Sequence, residues 1–538
     1  MNNSLYIYRS MVFDGRIHLK IVGAAKLSSA QCRLFKDGLP YAHITIRGDT
    51  GVFRYIPKGA YRCTAEVTLV GGSRVTLKST EITIEKNATR PTAQPAAFSL
   101  PPDTEVDLYE NVDSYFLEVS VSGDQAERLR EDVHALLKTQ CHIEAFSMEI
   151  NSTEQDSIVA DSAAQTCKIS AHIPTEKLAD IAKRINDLDY VAYCVVTPDT
   201  TNMAPPPPPA GGPFLDDEQT LSDAASDVDA DITEDITTDI TPDFSDRQGY
   251  LDAGAGMNVR AAWARGITGK GATVRHLDFG IYRRHEDLQG DVTVVNSRRE
   301  TMDCNHGTAS AGCVVATANG AGVTGVAHGC RFYFYEIGDL PLILKDAAPG
   351  DIVSLDIHFG GNGTWVPALA IYSWWVNIKA LTEKGVIVIM AAGNGGNFIG
   401  RGSRRMREHG ESGGILVGAG YSYNGTRLGF SNHGHRANLM NSWGDNVAST
   451  GYGNLQSRPG NNRNYTSNYA GTSSATPLTA GALALIQAYA ITSHGVYLNA
   501  REMTDLITRT GSTEGLAEGI GHRPNVDKAI EQLAIQLG

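Results

Sequence analysis

The chain of 538 residues is poor in cysteine, with eight in all and no C-x-x-C pair. Thiolate zinc ligation is therefore not expected, and no metal site is read from the sequence. It has no basic surplus: 46 Lys and Arg stand against 60 Asp and Glu, a net of −14. The apolar run from Val386 to Ala392 falls far short of the roughly 20 residues a membrane span needs. The first 30 residues hold no long apolar core ending in small residues, so no secretory signal is read there. These absences speak against a nucleic-acid partner and a membrane partner. They predict a cytoplasmic protein with free thiols; signal-independent secretion stays open, because it leaves no mark of this kind.

The acidity is local. Twelve carboxylates and no Lys or Arg lie between Asp216 and Asp246, so the rest of the chain carries a net of only −2. That tract follows the polyproline run Pro205–Pro209 and repeats Asp-Ile-Thr from Asp231, Asp235 and Asp239. Too few large apolar residues are present to bury a core, so 201–247 reads as a disordered linker. Asp227, Asp229 and Asp231 imitate the start of a calcium loop, but Ile232 stands where glycine is needed and Thr238 where Glu is needed.

On either side the composition is globular, with 42% hydrophobic and 20% charged residues. At about 150 residues per domain, three to four domains are expected. Residues 1–100 alternate in short strands, at Ile17–Val22, Ala42–Ile46, Gly51–Ile56, Tyr61–Val70 and Arg74–Ile84, with turns at Asp37-Gly38, Gly48-Asp49 and Gly71-Gly72. That predicts a small β-sandwich, and Gly51 to Tyr61 resembles carboxypeptidase-regulatory-like and prealbumin-type sandwiches; an Ig-like sandwich fits the pattern as well. Arg47-Gly48-Asp49 spells an adhesion tripeptide, and between strands it reads as a turn. Residues 103–200 read β-α-β-β-α-β, the order of a ferredoxin-like α+β domain: strands at Tyr115–Val121, Ile143–Ile150, Lys168–Ile173 and Val191–Val196, helices at Asp124–Lys138 and Thr175–Leu188, the latter capped by Thr175.

From 249 to 538 strands and helices alternate. Strands are expected at Ala272–Leu277, Arg331–Ile337, Asp351–Ile357, Gly385–Met390 and Ile415–Val417, and helices at Thr308–Ala318, Val366–Leu381 and Ser474–Ala490. This α/β pattern predicts a mainly parallel sheet with helices on both faces, and a site at the carboxyl ends of its strands. Four motifs fall at such ends or at helix starts: Val274-Arg275-His276-Leu277-Asp278-Phe279-Gly280, Asn305-His306-Gly307-Thr308, Ala391-Ala392-Gly393-Asn394-Gly395-Gly396 and Gly471-Thr472-Ser473-Ser474-Ala475-Thr476-Pro477. Each alone is a cap or a turn. Together they fit nucleophilic catalysis. A serine hydroxyl (Ser473) needs a base (His306), the base needs a carboxylate (Asp278), and the oxyanion needs donors, here the Asn394 amide and the Ser473 N–H at a helix N-terminus. Pro477 is expected within the first turn or so of that helix.

The order Asp…His…Asn…Ser resembles the subtilisin-like serine proteases, or subtilases. Further matches are His285-Glu286-Asp287-Leu288, Gly325-Val326-Ala327 and Phe430-Ser431-Asn432. The resemblance implies a subtilisin-like α/β fold over 249–538, the triad Asp278, His306 and Ser473, and the oxyanion donor Asn394. It implies that 103–200 is a propeptide-like domain acting as an intramolecular inhibitor of a self-processing precursor, with proteins or peptides as substrate. Subtilases often bind calcium, and the sequence places no ligands for it. Where the family carries a Ser- and Gly-rich substrate-binding segment, this chain reads Leu355-Asp356-Ile357-His358-Phe359-Gly360-Gly361. Asp356, His358, Gly360 and Gly361 are then candidate substrate-binding residues. Asp356 either favours a basic residue before the cut or is an internally bonded structural acid. The basic loop Arg401–Arg407 is a solvated surface loop or a dock for the acidic tract. Cys304 is a buried filler or an oxidation gate. Alternative functions are acyl transfer to an amine, giving ligation or cyclisation, and a dormant protease serving as a binding scaffold.

Overall fold

The computed structural model describes residues 3–23, 26–86, 115–122, 125–152, 164–198, 240–359, 365–399, 410–434 and 438–538. The acidic tract up to 239, Gly360, Gly361 and Arg401–Arg407 lie outside the described residues.

In the first unit, residues of one parity turn inward. Tyr61, Cys63, Ala65 and Val67 are buried along one strand, while Arg62 and Glu66 between them are exposed. The strands are β1 (Ser4–Ser10), β2 (Ile17–Val22), β3 (Leu27–Lys36), β4 (Leu39–Ile46), β5 (Thr50–Phe53), β6 (Gly59–Leu69), β7 (Arg74–Lys78) and β8 (Ile82–Ile84). One sheet contains β1-β2-β5 and the other β4-β3-β6-β7, with β8 on β6. Their inner faces share a core of Ile7, Leu19 and Ile21 against Cys32, Leu34 and Val67. Strands β1 and β3 escape the sequence reading because each mixes polar residues into its run, as in Ser28-Ser29 of β3. Arg74–Ile84 is two strands, interrupted at Ser79-Thr80, rather than one.

In the second unit, β9 (Tyr115–Ser122), α1 (Ala126–Cys141), β10 (Ser147–Ser152), β11 (Ala164–Ser170), α2 (Thr175–Asn186) and β12 (Val191–Pro198) follow one another. The antiparallel sheet runs β10-β11-β9-β12. The helices cover it with stripes three or four residues apart: Leu129, Val133 and Leu137 on α1, Leu178, Ile181 and Ile185 on α2. The cap of α2 is Pro174, whose ψ of 135° is still extended, with Thr175 already helical.

The third unit begins earlier than its sequence suggests. Residues 240–247, read as linker, pack into it: Thr241 is buried and bonds Glu286, the Phe244 N–H donates to the Gly322 carbonyl (2.7 Å), and the next residue, Gln248, is fully buried against Thr324. The elements are α3 (Val259–Ala264), β13 (Thr273–Asp278), β14 (Val292–Val294), α4 (Asn305–Val315), β15 (Arg331–Glu336), α5 (Leu340–Asp346), β16 (Ile352–Leu355), β17 (His358–Phe359), β18 (Val366–Pro367), α6 (Tyr372–Glu383), β19 (Ile387–Ala391), β20 (Ile415–Gly420), β21 (Leu439–Trp443), β22 (Val447–Thr450), β23 (Tyr465–Tyr469), α7 (Thr472–His494), β24 (Val496–Tyr497), α8 (Ala500–Thr510) and α9 (Val526–Leu537). The main sheet is β14-β15-β13-β16-β19-β20-β21, parallel throughout. Alternate residues feed opposite cores. Ile387 and Ile389 join α4 and α7 on one face, and Val388 and Met390 join α5 and α6 on the other. The predicted helix 366–381 starts only at Tyr372, because Val366-Pro367 pairs with β17 and a short 3-10 turn, Ala368–Ala370, intervenes.

Helix α7 is long and apolar enough to cross a membrane by length and composition alone, which the sequence reading overlooked. Of its most apolar window 89% is buried inside the protein, which makes it the central core helix here. Pro477 is its sixth residue, past the first turn, and denies the Ser473 carbonyl an intrahelical donor.

Candidate active site

Strand β13 delivers a carboxylate to the carboxyl end of the sheet. Its pleat sends His276 and Asp278 to one side and Leu277 to the other, so one histidine stands beside the acid on its own strand. His276 Nε2 lies 3.0 Å from Asp278 Oδ2, and His306 Nδ1 lies 2.6 Å from Oδ1. The Phe279 N–H also donates to Oδ1, at 2.6 Å. Asp278 is fully buried. Burial would raise its pKa, but His306 and His276 outweigh it and hold the carboxyl well below the usual carboxylate range.

His306 opens α4, walled by the rings of Phe279 and Tyr469, both edge-on. Burial disfavours its charged form, yet the Asp278 carboxylate dominates and its pKa is pushed up to about 9. Its outer nitrogen, Nε2, is buried and has no hydrogen-bond partner among the described residues.

Ser473 is the second residue of α7, which packs against α4. The turn into that helix needs Gly471: its φ is +100°, and a Cβ would stand 3.2 Å from Asn394 Nδ2. Asn394 follows β19. Its side-chain oxygen accepts both the N–H and the hydroxyl of Thr472, each at 2.9 Å, which fixes the carboxamide and leaves its NH₂ group to point elsewhere. The structure thus brings Asn394 beside the start of the Ser473 helix, and binds His306 to Asp278.

The remaining candidates divide. Asp356 is fully buried, its Oδ2 accepting the Ser310 hydroxyl at 2.8 Å, while that hydroxyl also lies 2.7 Å from the Tyr469 hydroxyl. Burial, and then the Asp278 charge, push its pKa well above the carboxylate range. Of the two readings of Asp356, these contacts favour the internally bonded structural acid. His358 is buried too, stacked on Trp365 with centroids 4.1 Å apart, and its Nδ1 accepts the Asn394 N–H at 3.3 Å. Burial pushes its pKa down to about 3, so it stays neutral. Cys304 is buried with its thiol pushed up to about 11 by burial, a filler rather than a reactive thiol.

Sequence reasoning missed His276, Ser310, Thr472, Trp365 and Tyr469. His276 had a signal, since a residue two before Asp278 on a strand must share its face; Ser310 and Tyr469 come from separate elements and had none. Among the described residues, the one grouping of three metal-ligating side chains is His276, Asp278 and Asp356. It does not fit calcium, which takes six to eight oxygen ligands. This group is fully buried, includes an imidazole, and has both Asp278 oxygens engaged.

The family model described as the subtilase family matches residues 269–523. Subtilisin Savinase of Lederbergia lenta is 33% identical over 246 residues, 42% of this chain and 80% of that protein. An alkaline protease of Alkalihalobacillus alcalophilus is also 33% identical over 246 residues, which span 57% of its own length. Among solved structures, the crystal structure of serine protease of Aeromonas sobria is similar with a TM-score of 0.43 at 20% identity, covering 55% of this chain and 68% of that one. The relatives also include the minor extracellular protease Epr of Bacillus subtilis, 30% identical over 150 residues, 26% of this chain and 23% of that protein. An extracellular relative overturns the expectation of a cytoplasmic location, which rested on the composition of the first 30 residues alone.

Proposed function

This chain belongs to the subtilase family and is a subtilisin-like serine protease, and from that premise we propose that it hydrolyses peptide bonds within proteins through Asp278, His306 and Ser473. The observation that carries the reading is the 2.6 Å contact of His306 Nδ1 with a buried Asp278. That contact places the imidazole proton on Nδ1 and leaves Nε2 as the base. Nε2 takes the Ser473 proton as Oγ bonds to the substrate carbonyl carbon. The imidazolium formed is stabilised by Asp278, which His276 and the Phe279 N–H hold in place. Negative charge on the carbonyl oxygen meets the Asn394 NH₂ group, oriented by Thr472, and the Ser473 N–H at the positive end of a 23-residue helix. Collapse breaks the C–N bond, His306 gives its proton to the leaving amine, and water repeats the sequence on the acyl-serine.

The unit 103–200 acts as the intramolecular inhibitor of a precursor that cuts itself between about 195 and 250. Supporting this, β12, the last strand of that unit, lies against helix α6 of the protease unit. The test is intact mass over time for wild type beside Ser473→Ala, with an active-site serine probe. Cleavage and labelling in wild type only support the reading. Equal cleavage of both proteins, or labelling of Ser473→Ala, refutes it.

A further inference from the structure

Among the described residues, the contacts of the first unit with the protease unit lie away from the catalytic residues. The first unit seals the opposite end of the sheet. Its contacts fall on Thr273, Arg331 and Asp351, at the amino ends of β13, β15 and β16, whereas Asp278 closes the carboxyl end of β13. Five steps along the strand separate the two ends, roughly 17 Å at the usual rise.

The contacts are of a kind found inside domains. The Lys20 side chain is 1% exposed, and its Nζ donates to Asp351 Oδ1 at 2.7 Å and to the Thr273 hydroxyl at 2.9 Å. Asp351 is fully buried, and Arg275 holds its other oxygen at 2.9 Å. Arg331, also buried, donates to the Ile21 and Gly23 carbonyls and pairs with Asp49, the acid of the Arg-Gly-Asp turn. Tyr333 donates to the same Asp49 at 3.0 Å. Backbone adds to side chain: β1 pairs in parallel with β24, and the Arg9 N–H donates to the Gly495 carbonyl at 2.8 Å. Gly495 has φ +61°, and a Cβ there would stand 2.3 Å from Ile82. Tyr8, Ile491 and Tyr497 form one small apolar core across the junction.

A Lys taken fully out of water is costly unless its partner is in place. Lys20 finds that partner only in the protease unit, and Asp351 is buried beside it. We propose that residues 3–86 are a permanent subunit of the protease, held non-covalently, which remains bound when the chain between residue 86 and residue 240 is cut. The propeptide-like unit is then excised from between two parts that stay together, and the mature enzyme is a two-fragment complex whose sandwich leaves the catalytic end of the sheet open.

The test uses the full chain with Ser473→Ala, so the outcome does not depend on which serine reacts. Sites for a specific endoprotease are inserted near residues 100 and 220, the protein is cut at both, and the products are separated by native size exclusion at neutral pH. The expected result is co-elution of the N-terminal fragment with the C-terminal fragment. Elution of the N-terminal fragment by itself, beside a soluble folded C-terminal fragment, overturns the proposal. Two variants cut the same way assign the contacts. Asp49→Ala, which leaves Arg331 paired with Asp291, raises the dissociation rate about tenfold, and Lys20→Met about a hundredfold. Unchanged dissociation in both overturns the assignment.

Discussion

Replacing Asp278 by Asn tests how the carboxylate acts, because this site separates charge from geometry. An asparagine Oδ1 still receives the Phe279 N–H and the His306 Nδ1–H, and its NH₂ group donates to His276 Nε2 once that ring carries its proton on Nδ1 instead, so the tautomer of His306 is preserved through a change of tautomer at His276. What is lost is the charge. Without it burial meets only the smaller upward pull of carboxylates such as Asp303, and the pKa of His306 falls from about 9 to the ordinary 6.5 or lower. That is at least about 2.5 units, or ~3.4 kcal/mol on the imidazolium. If the transition state carries the full imidazolium, the plateau of kcat/KM falls about 300-fold. At pH 7, however, only about 1% of wild-type His306 is in the neutral, competent form, by the usual titration relation. The variant is nearly all competent there, so the loss at pH 7 is only about threefold. The measurement is kcat/KM on a peptide ester from pH 5 to 10.5 for both proteins. A rising limb near 9 in wild type that moves to 6.5 or lower in the variant, with a pH-dependent loss, is expected. A limb that stays near 9, or a uniform loss on the order of 10⁴ as for a reversed tautomer, refutes the reasoning.

Asp356→Asn keeps the acceptor for Ser310 and replaces a carboxyl already neutral, so the His306 limb should stay within about 0.3 unit; a drop of a full unit would mean Asp356 is charged in the working enzyme. Thr472→Val removes one of two bonds on the Asn394 oxygen, and kcat should fall about tenfold with KM within twofold, read from steady-state kinetics; an effect confined to KM would count against an oxyanion role for Asn394. His18, buried between Tyr8 and Tyr497, has its pKa pushed down to about 4, first by burial and then by Arg16, Arg54 and Lys20. The folded protein therefore binds fewer protons there than the unfolded chain, so its contribution is present above about 6.5 and lost as pH falls toward 4, on the order of 3 kcal/mol. Thermal unfolding of His18→Gln should show a smaller drop between pH 7 and pH 4.5 than the parent, and an equal drop would remove His18 from that role.

How much of this was legible beforehand depends on how local each signal was. The parallel α/β pattern of 249–538 and the motifs around Asp278, His306, Asn394 and Ser473 could be read because strand alternation, helix capping and glycine turns act over a few residues. The strands β1 and β3 could not, since their polar residues are tolerated only where a neighbouring strand pairs with them. Residues 240–247 looked like linker because their acidic neighbours dominate the local composition, while Thr241 and Phe244 find their partners around Glu286 and Gly322.

The sequence by itself determined the residue types the chemistry needs and the elements that carry them. Tertiary structure alone decided which of two faces each residue met. It bonded Asp356 to Ser310, gave Asp278 a second histidine, and set Lys20 against Asp351 across 331 residues of chain. The physical reason is the same in each case. Burial and the nearest opposite charge fix whether a group is ionised and what it holds, and both are properties of packing between distant segments, which no local pattern encodes.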